Sequence, residues 1–148
     1  MSLSNRHSLQ EGVSNALLAW AKTWEEAGDK VRLNAVLEKR GTYSLIVSTA
    51  LVTERYIDGS ATWDVPFALA YVDSWSDGVD GVNTNASAVG ERWLDWVSEQ
   101  FDAGNLPSVE GATIDLLEPL EGVPTLAMAY QDQRLAKYQF QAHMRLRV

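Results

Sequence analysis

The stretch RLAKYQFQAHMRLRV, Arg134–Val148, decides how this chain folds. Tyr138, Phe140, Ala142, Met144, Leu146 and Val148 alternate with Lys137, Gln139, Gln141, His143, Arg145 and Arg147. Successive side chains of a strand point to opposite faces, so this alternation predicts a β-strand with one apolar and one polar face. Strands buried on both sides read as continuous apolar runs, and this one does not. It belongs in a sheet that is covered on one side.

The neighbouring strands read outward from it. From Thr42 the chain is β-rich, with YSLIVS, VTERYI and TWDVPFALAYV in turn. Asp58-Gly59, between Ile57 and Ser60, is a turn signal, which predicts a hairpin of Val52–Ile57 and Thr62–Val72. Trp63, Val65, Phe67, Leu69 and Tyr71 share one face of the second arm, and that face must be buried. Pro66 lacks a donor, which places the start of this arm at an edge or a bulge. Ala112–Glu118 and Thr125–Tyr130 read as further strands. Between Asp29 and Gly41, alternation at Val31, Leu33, Ala35 and Leu37 suggests a short strand, although the Ala, Leu, Glu and Lys content there also suits a helix.

Two segments have the helical period that can cover the sheet. Leu9, Val13, Leu17, Trp20, Trp24 and Ala27 form a stripe over Ser8–Ala27, with Ser8 and Glu11 as a capping box and Gly28 at the expected C-cap. The second helix spans Asn85–Asp102 and includes ERWLDWVSEQFDAGNLP, Glu91–Pro107. Val89, Trp93, Val97 and Phe101 form its buried line, and Gly104 and Pro107 end it. The loop DSWSDGVDGVNTN, Asp73–Asn85, precedes it. Helix, strands, helix, strands is the order of an α+β fold: a largely antiparallel twisted sheet with two main helices packed on one face. No linker or internal repeat breaks the pattern, so residues 1–148 read as a single domain.

Composition narrows the function. The net charge is −8 and cysteine is absent, which excludes disulfides and cysteine nucleophiles and argues against a phosphate-binding surface. No apolar run reaches the ~20 residues of a membrane span, and MSLSNRHSLQ lacks a signal peptide's apolar core, so a cytoplasmic site of synthesis and folding is expected. The histidines His7 and His143 adjoin no catalytic motif, and His143 reads as a solvated strand residue. DSWSDGVDG fails the calcium-loop template, because Trp75 takes a ligand position and Thr84 stands where a bidentate Glu belongs. No catalytic, cofactor-binding or metal-ligating set is expected. What remains is surface: Lys137, Arg145 and Arg147 place basic charge on one strand face of an acidic chain. That face is either simply solvated or meets an acidic patch on a neighbouring copy or partner.

The residues YIDG (Tyr56–Gly59), WLDWVSEQ…GNLP (Trp93–Pro107) and AKYQFQ (Ala136–Gln141), in that order and spacing, resemble a family of small tailed-bacteriophage proteins of Gram-positive phages and prophages. Its members are known as minor capsid proteins and are similar to tail terminator, or tail-completion, proteins. The resemblance covers roughly Thr42 to the C-terminus; the loop Asp73–Asn85 departs from it most. It implies a structural virion protein of the tail or neck, assembled in the host cytoplasm, and not an enzyme. The implied partners are copies of itself in a closed, typically hexameric ring, the major tail tube protein and the head–tail connector. No sequence-specific nucleic acid and no membrane are implied. Interface positions follow from exposure patterns: the loop acids Asp73, Asp77 and Asp80, and the strand residues Gln139, Gln141, Arg145 and Arg147. A head-closure or neck protein is the alternative within the same machine. A small-molecule-binding or enzymatic α+β domain unrelated to phage is the alternative outside it.

Overall fold

In the computed structural model the chain runs α1 (Leu3–Ala21), β1 (Val31–Leu33), β2 (Tyr43–Val47), β3 (Leu51–Arg55), β4 (Ala61–Ser74), α2 (Asp80–Ala103), β5 (Thr113–Pro119), β6 (Thr125–Tyr130) and β7 (Leu135–Arg147). The structure describes residues 3–35, 40–74, 80–120, 125–130 and 135–148, with side chains described for 8–35, 40–73, 88–120 and 135–148. The seven strands form one sheet around the two longest, β4 and β7, which pair antiparallel from Thr62↔Arg147 to Ser74↔Leu135. Each carries two short strands on its outer edge. β2 and β3 share the edge of β4, and β5 and β6 share that of β7. β1 pairs parallel with β2 at the margin, the one parallel ladder among the described pairs. The fold is α+β, with both helices packed against the sheet.

The expected hairpin is β3–β4, and its turn closes at Gly59, whose φ of 89° is a left-handed conformation that glycine adopts freely. The start of β4 does face a bulge, between Val52 and Glu54 of β3 opposite Trp63 and Thr62, but Pro66 itself lies beyond it, well inside β4. Its carbonyl accepts from Ser48 N at 2.9 Å, on the side where β2 ends and β3 has yet to begin. The N–H and C=O of a strand residue face the same neighbour, so the missing donor falls at this seam and costs no ladder bond.

Trp63, Val65, Phe67, Leu69 and Tyr71 of β4 and Tyr138, Phe140, Ala142, Met144 and Leu146 of β7 form the floor of one hydrophobic core. Val13, Leu17 and Trp20 of α1 and Val89, Trp93, Leu94 and Val97 of α2 pack onto it. Phe67 holds the two helices together, meeting Trp20 edge-on at 6.1 Å and Trp93 edge-on at 6.0 Å. Fully enclosing an indole such as Trp93 removes ~200 Å² from water, worth up to ~5 kcal/mol. Trp93 Nε1 has no hydrogen-bond partner among the described residues, and leaving such a donor buried returns ~1–3 kcal/mol of that gain.

The helix boundaries differ from expectation. α1 begins at Leu3, so Ser8 sits inside the helix and caps nothing. It stops at Ala21, and turns closed by Trp24 N to Ala21 O and Gly28 N to Trp24 O follow. These bonds span three and four residues, as in a helix, so Trp24 and Ala27 stay on the buried side. α2 begins at Asp80, five residues earlier than expected, and much of the expected polar loop is helix. Its end follows the sequence reading. Asn105 N bonds Gln100 O and Gly104 N bonds Phe101 O around Gly104 at φ 76°, the two bonds of a Schellman motif. Asn105 O then accepts the Trp20 indole N–H at 2.9 Å, so the turn that ends α2 also anchors α1.

Candidate functional site: the uncovered face of the sheet

The second face of the sheet carries Thr62, Asp64, Pro66, Ala68, Ala70 and Val72 from β4, and Lys137 to Arg147 at odd positions from β7. Among the described residues no helix lies on it. It has two halves. Around Ala70 and Val72, both fully buried, it is small and apolar, with Ile46 and Leu135 packed alongside. Around His143 it is charged.

Register builds the charged half. Glu118 on β5 lies directly opposite His143, and Asp64 on β4 lies diagonally, two positions from its partner Pro66. Directly opposed side chains and long diagonal ones are within mutual reach on a sheet. His143 Nδ1 lies 2.8 Å from Asp64 Oδ1 and Nε2 lies 2.9 Å from Glu118 Oε1. Both carboxylates are acceptors when ionised, so both ring nitrogens must donate to satisfy them, and only the imidazolium does that. Burial alone pulls the His143 pKa down; the hydrogen bonds to Glu118 and Asp64, with their charges, outweigh it and leave the pKa raised above 6.5. The carboxylates take opposite ring nitrogens and do not converge on one point. Among the described residues no group of three or more His, Asp or Glu side chains is placed to hold a metal ion.

The row continues toward the β3–β4 turn. The Arg147 guanidinium stacks over the Tyr56 ring at 4.4 Å and lies 3.8 Å from Asp58. The Tyr56 hydroxyl lies 2.9 Å from Thr62 Oγ1 and 3.2 Å from Glu54 Oε2. Arg145 is exposed and has no ion-pair partner among the described residues.

The expected interface positions do not form one patch. Gln139, Gln141, Arg145 and Arg147 share this face, the glutamines half-buried and the arginines exposed. Asp73 is no loop acid. It is the penultimate residue of β4, 1% exposed, on the helix-covered face. Arg40 Nε reaches its Oδ1 at 3.1 Å, and it accepts a hydrogen bond from Tyr71. Burial first, and the Asp73 charge second, push the Tyr71 hydroxyl up to about 12; burial chiefly also raises Tyr138 and Tyr43. Asp77 lies outside the described residues, and Asp80 opens α2 with its side chain outside them. His143, a solvated strand residue by its sequence pattern, is 9% exposed and clamped between two acids. The signal available in the sequence was parity: Asp64 and His143 each fall on the polar face of a strand whose other face is core.

No protein-family model matches the chain, and a search of curated proteins finds no match.

Proposed function

We propose that this chain is a structural subunit of a phage virion, a tail terminator that caps the head-proximal end of the tail tube as a ring and meets the head connector. It works in the virion neck after assembly in the host cytoplasm. One observation carries the reading beyond the motif resemblance: a chain of net charge −8 holds an ordered row of charge on a sheet face that no described helix covers, with Arg145 exposed and without an ion-pair partner among the described residues. Such a face is organised before any partner arrives, so docking it loses little side-chain freedom, and charge rows of this kind set the register between subunits. A ring needs one patch of each subunit to meet a different patch of the next. The acidic bulk suits a channel through which DNA slides, because negative walls repel phosphate.

The test is assembly. Purified chain, alone and mixed with tail tube rings, is examined by mass photometry and negative-stain electron microscopy. Closed rings, or caps on tube ends, are the expected outcome. A chain that stays monomeric at high concentration and ignores tube protein overturns the proposal. Deleting the gene separates the two places in the machine: over-long tails mark a terminator, whereas finished tails beside leaking heads mark a neck protein.

A further inference from the structure

On the helical side, the C-terminal ends of α1 and α2 frame a groove of about 890 Å³. Trp20, Trp24 and Trp96 form its aromatic wall, with Trp96 4.7 Å from Trp20 and 6.4 Å from Trp24 between ring centres. Gln100 and Leu106 line it farther along, with exposed Glu25 and with Glu26, whose Oε1 is paired with Arg92 Nε at 2.6 Å. A different part of the surface carries a knob. Ile57, at the tip of the β3–β4 hairpin, is the most exposed large hydrophobic residue described, at 109%. The tip is locked in shape: Tyr56 N bonds Ser60 O, Gly59 N bonds Tyr56 O, and Asp58 Oδ1 accepts from both Ser60 N and Ser60 Oγ. Arg147 braces it from β7 by stacking on Tyr56.

We infer that the hairpin tip of one copy, led by Ile57, seats in the tryptophan groove of the next copy. Three features select a second copy as occupant. The tip presents an apolar side chain on a rigid support, so burying it costs little ordering entropy. The groove offers the half-buried Trp96 ring and Leu106 as accessible apolar surface, with the buried Trp20 and Trp24 behind them, and aromatic surface is what interface cores favour. Charge also matches at one pair: exposed Arg55 flanks the tip and exposed Glu25 lines the groove, neither with an ion-pair partner among the described residues, whereas Glu26 is held by Arg92 and Arg147 by Tyr56 and Asp58. Knob and hole lie on different surfaces of one chain, the heterologous arrangement that propagates head to tail and closes as a ring. This rests on the ring proposal and adds a second contact between its subunits to the one made by the charged sheet face.

The absence of cysteine makes the test clean. Ile57→Cys and Gln100→Cys chains are prepared separately, mixed and oxidised, while ring formation by the unmodified chain is followed by mass photometry. The mixed tip–groove dimer is expected to exceed either same-variant dimer roughly tenfold, and a chain bearing both substitutions should give a ladder of covalent oligomers. Ile57→Asp, at a fully exposed position, should keep the fold and weaken self-association roughly tenfold or more. Arg55→Glu and Glu25→Lys should each weaken it, and mixing the two should restore it. Rings that form without tip–groove cross-linking overturn this contact and leave the ring reading standing. Cross-linking of Ile57→Cys to tube protein instead of to a second copy overturns it as well. A chain that never self-associates, with or without tube rings, overturns both.

Discussion

His143 and Asp64, seventy-nine residues apart in sequence, meet at 2.8 Å across β7 and β4, and Glu118 holds the other side of the same imidazole at 2.9 Å. This clamp makes stability depend on pH. The folded-state pKa of His143 is raised above its ordinary 6.5, so the stabilisation is full below pH 6.5 and is lost as pH rises through the folded value. Each unit of raised pKa is worth about 1.4 kcal/mol. Urea midpoints measured upward from pH 6 should therefore fall, and His143→Gln should remove that slope. The imidazole proton resonances of His143 should titrate with a midpoint above 6.5; a midpoint below it would contradict the clamp.

The alkaline limit has a different source. Tyr71 is pushed up to about 12 and Tyr43 and Tyr138 are raised from 10, chiefly by burial. A raised phenol favours the folded state below pH 10, and that advantage disappears as pH climbs through the folded values. Absorbance at 295 nm should show these three of the five tyrosines ionising late and together with unfolding. Tyr71→Phe should make the alkaline transition shallower.

Trp20 ties α1 to the turn after α2 through its indole N–H and to β4 through Phe67. Trp20→Phe keeps an aromatic ring but leaves a void and removes the donor to Asn105 O. The expected loss is about 2–3 kcal/mol by urea unfolding, from packing and one hydrogen bond together. Helix content by circular dichroism should stay near the parent value, because α2 has its own cap.

Charge reversal separates the two exposed arginines of β7. Arg145→Glu touches no described ion pair and should leave the melting temperature within a few degrees, while weakening ring formation if the uncovered face is an interface. Arg147→Glu also loses its stacking on Tyr56 and its approach to Asp58, and should cost up to about 1 kcal/mol more. Unchanged assembly in both variants would remove the uncovered face from the interface.

Much of the architecture is visible locally. The alternation of Tyr138 to Val148 specifies a strand with one wet face, the Asp58-Gly59 turn specifies its neighbouring hairpin, and Gly104 specifies where α2 ends. These are effects of nearest neighbours: period, turn conformation and backbone freedom. Helix ends were less legible. Trp24 and Ala27 keep the helical stripe while lying in turns, and apolar spacing cannot distinguish the two because both bury the same side.

The partnerships belong to the tertiary structure. Periodicity assigned His143 to the polar face of its strand; only the registers β4–β7 and β5–β7 brought Asp64 and Glu118 to its two nitrogens and took it out of water. Asp73 has the composition of a loop acid, yet β4 extends past it and seals it beside Tyr71 and Arg40. Local sequence sets which face a side chain takes, because that depends on backbone dihedrals alone. What it meets there depends on which distant strand lies alongside and in what register, and that is decided when the whole core packs at once.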